Sequence, residues 1–347
     1  MPRSVFLLII IIASWSCKNE PNTGVSGPDP VTKIIDQDKR LDVITFGSCS
    51  KHDEKQPLWK FIGEEEPDLW IWGGDNIYGD SKDMVVLEDR YEQQLSHPAY
   101  KKFIEQVPII GTWDDHDYGV NDGGKNYEMK RESRDLMFKF LGVPEDDPSW
   151  SREGAYQSYS FGTGAEQVKI ILLDTRYFRD NTKKTATRKS YVPTTGDILG
   201  ESQWKWLEQE LMGSEAKLNI IVSGIQVIPE DHNYEKWANF PLSRDRLFNL
   251  VRSSKSNTFL ISGDRHIGEI SSIELGDQML HEITSSGLTH SYDSFPGEKN
   301  QHRVSEVVSS LNYGKVSIDW DANPVVVFGE IKGEGGKGYE KIEFTLN

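Results

Sequence analysis

The chain has 347 residues and a formal net charge of −16, from 55 acidic against 39 basic residues. Apolar residues make up 36%, and 10 Trp, 13 Tyr and 14 Phe supply a large core, which excludes a disordered or collagen-like chain. So acidic a surface lacks the basic footprint of a nucleic-acid binder, and two cysteines do not make a disulfide scaffold.

Arg3 precedes an unbroken apolar run from Val5 to Ala13, too short to span a bilayer but suited to the core of a signal peptide. Ser14-Trp15-Ser16-Cys17 follows and resembles a loose bacterial lipobox. It predicts cleavage before a lipidated Cys17, with plain secretion or an uncleaved anchor as the alternatives. Residues 18–35, holding Asn, Gly, Ser and Pro, read as a tether. The expected organisation is a signal peptide over 1–17, a linker over 18–35 and one domain over 36–347. The expected location is the periplasm or cell surface, with a membrane-attached monomer.

From there, short β-rich runs each end in a polar or glycine-containing cluster. Leu41–Phe46 ends at Gly47-Ser48-Cys49, and Asp68–Trp72 at Gly74-Asp75-Asn76. Val107–Trp113 ends at Asp114-Asp115-His116-Asp117, and Val168–Leu173 at Asp174-Thr175-Arg176. Leu218–Val222 ends at Ser223-Gly224, and Thr258–Ile261 at Gly263-Asp264-Arg265-His266. Helical patterns fall at about 85–106, 125–141, 202–211 and 243–252, and strands close the chain over 314–320, 324–331 and 340–346. The fold class this predicts is α/β: two mixed sheets packed together with helices outside.

Ligands of open α/β sheets bind beyond the carboxyl ends of the strands. Four of the six ends here carry groups that ligate metals: Cys49; Asp75, Asn76 and Tyr78; Asp114, Asp115, His116 and Asp117; Asp264 and His266. A lone Asp after Gly is an ordinary turn residue. Three strand ends that bring carboxylates to one rim repel one another unless cations or protons compensate them. Carboxylates suit hard ions such as Ca²⁺, Mg²⁺ or Mn²⁺, whereas a thiolate, a phenolate and an imidazole suit an iron- or zinc-like ion, so a mixed multi-metal centre is expected. Paired metals are the usual device for displacement at phosphorus.

These blocks, in this order, resemble the metallophosphoesterase superfamily, and their spelling resembles its PhoD-like (alkaline phosphatase D) branch. The resemblance rests on Phe46-Gly47-Ser48-Cys49-Ser50, Gly74-Asp75-Asn76-Ile77-Tyr78-Gly79-Asp80, Thr112-Trp113-Asp114-Asp115-His116-Asp117, Leu173-Asp174-Thr175-Arg176, Leu199-Gly200-Glu201-Ser202-Gln203-Trp204 and Gly263-Asp264-Arg265-His266. It implies a metallophosphoesterase-like four-layer sandwich and hydrolysis of phosphate monoesters, diesters or both by a metal-activated water. It implies Fe³⁺ plus Ca²⁺, with Zn²⁺, Mn²⁺ or Mg²⁺ as alternatives. Cys49 and Tyr78 would hold the ferric ion, and Asp75 would join the two main ions. Asp115, with Asp114 close behind, would hold the second metal, and Asp264 and His266 would complete the centre. His116 would stand by the leaving group, while Asn76 and Arg176 would contact substrate; an ion pair with Asp174 is the other reading of Arg176. A cell-surface binding protein with a structural metal site, and a hydrolase of nucleotide pyrophosphates or phospholipid headgroups, are the rival functions.

The pattern departs from the superfamily at Ser223-Gly224-Ile225-Gln226, where another metal-binding His is expected. Either Gln226 or a water fills that place, or the second metal is held more loosely. The separate N-terminal β-domain of many PhoD-like enzymes has no room between Cys17 and Leu41. Arg179, Lys183, Lys184, Arg188 and Lys189 form a basic island that is either an anion-attracting loop or solvated surface. Trp237, Asn239 and Phe240 are candidate pocket walls, and His290 is either a support for a ligand or structural.

Overall fold

The computed structural model describes Met1, residues 33–187 and residues 189–346. The predicted signal peptide, Cys17, most of the linker and Arg188 lie outside the described residues.

In chain order the first half contains β1 (Val43–Gly47), α1 (Trp59–Glu64), β2 (Leu69–Gly73), α2 (Met84–Ser96), α3 (Pro98–Ile104), β3 (Ile109–Thr112), α4 (Asp115–Tyr118) and α5 (Lys130–Leu141). The second half contains β4 (Gln157–Phe161), β5 (Val168–Leu172), β6 (Lys183–Lys184), β7 (Tyr191–Val192), α6 (Gly200–Met212), β8 (Leu218–Ser223), α7 (Pro241–Ser253), β9 (Asn257–Ser262), β10 (Gly268–Leu275), β11 (Gln278–Ser285), β12 (Tyr313–Asp319), β13 (Val326–Lys332) and β14 (Gly338–Thr345). One sheet has the order β14-β13-β12-β1-β2-β3 and the other β10-β11-β9-β8-β5-β4, while β6 and β7 form a separate hairpin.

Alternation along the central strands builds the layers. In β2, Leu69 and Ile71 enter the space between the sheets, while Trp70 and Trp72 pack on the opposite face under α1 and α3. In β8 and β9, Ile220, Val222, Phe259 and Ile261 face inward, and Ile221 and Leu260 pack under α6 and α7. Both faces of each central strand are thus covered, which is why these strands read as continuous apolar runs. Each such side chain contributes about 1.5–3 kcal/mol on burial. The result is the four-layer sandwich expected from the sequence: helices, sheet, sheet, helices.

The helix expected over 85–106 is two helices, because Pro98 forces His97 out of the helical region (ψ 120°). The parallel pairs β1–β2–β3 and β5–β8–β9–β11 run the same way within each sheet, so their carboxyl ends come out together. No helix among the described residues is long and apolar enough to cross a membrane.

Candidate metal centre

The turns after β1, β2 and β9 hold their side chains by unusual backbone. Cys49 (φ 62°), Asp75 (φ 49°), Asp264 (φ 72°) and His266 (φ 53°) all sit in the left-handed region, which costs non-glycine residues free energy. Four predicted ligands share this strain. Gly74 lets the turn after β2 meet the turn after β3: a Cβ there would lie 2.7 Å from Asp114 Cβ. Gly224, after β8, does the same on the other side, since its Cβ would fall 2.6 Å from Asp114 Oδ1.

Four overlapping groups have ligand atoms within 4.8 Å of one another: Cys49, Asp75 and His266; Asp75, Asp115 and His116; Asp114, Asp115 and Asp264; and Asp115, Asp122 and Glu235. Asp75 belongs to the first two and Asp115 to the last three. Cys49 Sγ lies 3.5 Å from Asp75 Oδ2. The Tyr78 hydroxyl is 3.0 Å from His266 Nε2 and 3.0 Å from His290 Nε2, so it joins the first group through His266.

Acidic groups outnumber the cations at this rim. Burial, reinforced by Asp115, pushes the Asp75 carboxyl well up, and burial with Asp114 does the same to Asp264. Burial, with Asp75 and Asp264, also pushes the Cys49 thiol well up. Burial raises Asp114 to about 7 against the pull of Arg176. Burial opposes ionisation of Asp115 too, but Arg176, His116 and hydrogen bonds from Asp122 and Asn121 hold it at about 2. Asp114 Oδ2 and Asp115 Oδ1 are buried with no hydrogen-bond partner. Orphaned carboxylate oxygens inside a like-charged cluster are what bound cations would satisfy. His266 is kept neutral, at about 3, by burial and the neighbouring His290 and His116, and neutral imidazole is the ligating form. The donor set therefore fits a multi-cation centre.

His116 opens α4 after β3, and its Nδ1 lies 2.8 Å from Asp80 Oδ1. Burial disfavours its charge, but the Asp80 hydrogen bond and the carboxylates of Asp75 and Asp115 outweigh that and push it up to about 10. Asp117 accepts from the backbone N–H of Asp114 (2.7 Å) and of Asn76 (3.2 Å) and so ties the second and third turns together.

Contrary to expectation, Arg176, Asn76, Gln226, Trp237, Asn239 and Phe240 do not line the cavity onto which the rim opens. Arg176 is fully buried and absent from the cavity wall; its guanidinium pairs with Asp114 at 2.7 Å and Glu235 at 2.6 Å. It is neither a phosphate clamp nor a side-chain partner of Asp174, which instead accepts from the Arg176 backbone N–H at 2.9 Å. Asn76 is also fully buried and absent from the cavity wall; its Nδ2 donates to Thr112 O at 3.0 Å, while its Oδ1 has no hydrogen-bond partner. Gln226 Nε2 donates to Glu269 at 2.7 Å and Thr284 at 2.8 Å, and its Oε1 is buried with no hydrogen-bond partner. Trp237 points to Ser223 Oγ (3.0 Å), so Asn233, Tyr234 and Glu235 wall the cavity in place of Trp237, Asn239 and Phe240.

The rim opens into a cavity of about 500 Å³, lined by Asp75, Asp115, His116, Asp264 and His266 together with Lys184, Lys189, Tyr191, Tyr234, Arg265 and Tyr292. Two members of the basic island thus reach it, while Arg179 is buried against Glu235. The sequence reading gave no role to Asp80, although it closes the same Gly-Asp-Asn-Ile-Tyr-Gly-Asp block. Glu235 carried no signal at all, since it stands in a loop without a motif.

The family model of PhoD-like phosphatases matches residues 44–326. Alkaline phosphatase D of Bacillus subtilis (strain 168) is 23% identical over 273 residues, covering 66% of this chain and 46% of the relative. The chain spans about half the length of that curated relative. Among solved structures, one of PhoD superposes with a TM-score of 0.72 at 17% identity, covering 92% of this chain and 72% of that one. A dimetal phosphatase from Danio rerio superposes with a TM-score of 0.55 at 13% identity, covering 89% and 100%.

Proposed function

The chain belongs to the PhoD-like phosphatase family, and on that premise we propose that it hydrolyses phosphate esters at the acidic rim with bound cations. The observation that supports this most is the set of buried, overlapping donor groups built on Asp75 and Asp115, open to a cavity larger than phosphate alone needs.

Cys49, Tyr78 and His266 offer a thiol, a phenol and an imidazole, a set that suits an iron-like ion, whereas Asp114, Asp115 and Asp264 suit harder ions such as Ca²⁺. Fe³⁺ with Ca²⁺ is the content we propose. Bound there, the cations would polarise phosphoryl oxygens and lower the pKa of an attacking water. His116, with Nδ1 held by Asp80, leaves Nε2 to protonate the departing alkoxide. The carboxylates around His116 favour its cationic form, which is the form a general acid needs. Ser48, the serine beside Cys49, is fully buried and donates to Ser285 O at 3.1 Å, so no serine nucleophile is called for.

The apolar run Val5–Ala13 followed by Cys17 supports export and lipid attachment as part of the same proposal. Mass spectrometry of the mature N-terminus, with Cys17→Ser for comparison, tests it. Release of Cys17→Ser from the membrane fraction is the expected result.

Substrate choice depends on the cavity rather than on the ligands. A panel of aryl phosphate monoesters and diesters, nucleotide pyrophosphates and phospholipids tests the activity. Turnover of at least one phosphate ester, abolished by chelation, is expected; metal binding with no turnover of any would leave a binding protein instead.

A further inference from the structure

Arg176 is locked inside the protein, whereas Lys184, paired with Asp122 at 2.9 Å, Lys189 and Arg265 line the cavity. We propose, on the phosphoesterase reading above, that Arg265 contacts the phosphoryl oxygens. It stands between two predicted ligands, Asp264 and His266, and lines the same cavity. The left-handed backbone on both of its neighbours makes a tight turn, closed by Arg265 N–H donating to Gly263 O at 2.9 Å.

Its side chain is held but not used up. Arg265 is only 4% exposed, its Nη2 pairs with Glu298, and its guanidinium lies over the Tyr234 ring at 4.1 Å. Yet its Nε is buried with no hydrogen-bond partner. A buried guanidinium N–H without an acceptor is costly, and an anion in the cavity would supply one. The support under it is built as well. Tyr234 is fixed by Lys236, whose ammonium donates to Tyr234 O at 3.0 Å, and Tyr292 is fixed by its N–H to His266 O at 2.7 Å. A planar, pre-oriented fork beside the metal end is the geometry that phosphoryl oxygens select. Arg265 thus binds the phosphoryl group directly and stabilises the charge that grows on it in the transition state.

The test titrates inorganic phosphate into the cation-loaded full chain by calorimetry and measures aryl phosphate kinetics for wild type, Arg265→Gln and Arg265→Lys. Bound metal and melting temperature are read in parallel. Arg265→Gln should bind phosphate about 10–100-fold more weakly, the range of hydrogen bonds to charged groups, and lose about 10²-fold in kcat/KM, with metal content unchanged. Arg265→Lys should recover part of both, because it restores charge without the fork. Wild-type phosphate affinity and KM in metal-replete Arg265→Gln would overturn the proposal. If that variant misfolds, wild-type affinity and kinetics in Arg265→Lys overturn it, and a loss of several-fold in both supports it. A wild type that hydrolyses esters while Arg265 variants match it removes only this assignment. A wild type that holds cations but neither binds phosphate nor turns over any ester removes the phosphoesterase reading with it.

Discussion

Two clusters of buried charge touch at Asp114. On one side, Arg176 and Arg179 converge on Glu235, and Arg176 also pairs with Asp114, so positive and negative groups answer one another. On the other side, Asp75, Asp114, Asp115 and Asp264 crowd together with a thiol, outnumber the cations that face them (Arg176, His116 and Arg265), and several are pushed toward their protonated forms. Equal burial with opposite balance separates two roles. A matched network holds loops in place, whereas an unmatched one stores repulsion that a ligand can relieve. The arginine that looked like a phosphate contact in the sequence belongs to the matched side.

The largest effect is expected on the unmatched side: Cys49→Ala or Asp75→Ala should lose bound metal and ester hydrolysis together, measured by elemental analysis and turnover. His116→Ala should keep its metals but lose about 10²–10⁴-fold in turnover. Asp80→Asn, acting through the orientation of His116, should lose about 10–100-fold. On the matched side, Arg176→Ala should cost about 3–5 kcal/mol in chemical denaturation, because it strands Asp114 and Glu235 without their counter-charge.

A smaller, graded effect concerns pH. The carboxyls of Asp114 and Asp117 are raised from 3.8 to about 7 and about 8 in the folded, cation-free chain. Between those values the folded state binds more protons than the unfolded one, so stability falls as pH rises. Below about pH 6.5 the buried histidines His266, His281 and His290, lowered to about 3, about 4 and about 4, oppose this trend. The cation-free protein should therefore melt progressively lower from about pH 6.5 to pH 8, and added cations should flatten that slope. For the same reason Asp75→Asn should raise the melting temperature of the cation-free protein at neutral pH.

The layers and the rim were legible because both are written locally. Runs such as Leu69–Trp72 and Ile220–Val222 are apolar on both faces, and the polar clusters that follow them sit at strand ends by chain order alone. The hairpin β10–β11 was not assigned, since Gly268–Leu275 carries Glu269, Ser271 and Ser272 among its apolar residues. Which arginine meets the cavity was not legible either. Arg176 and Arg265 both follow a strand-end Asp, and only the packing of the loop carrying Glu235 against Arg176 separates them. The same holds for Gln226, whose Nε2 is engaged by Glu269 while its Oε1 is left without a partner.

The central claim is that the acidic rim works only with cations in it. Its most direct test is hydrolysis of an aryl phosphate by the purified chain before chelation, after exhaustive chelation, and after cations are restored. The account predicts activity that disappears on stripping and returns on reloading. Full activity in the stripped, folded protein would contradict it.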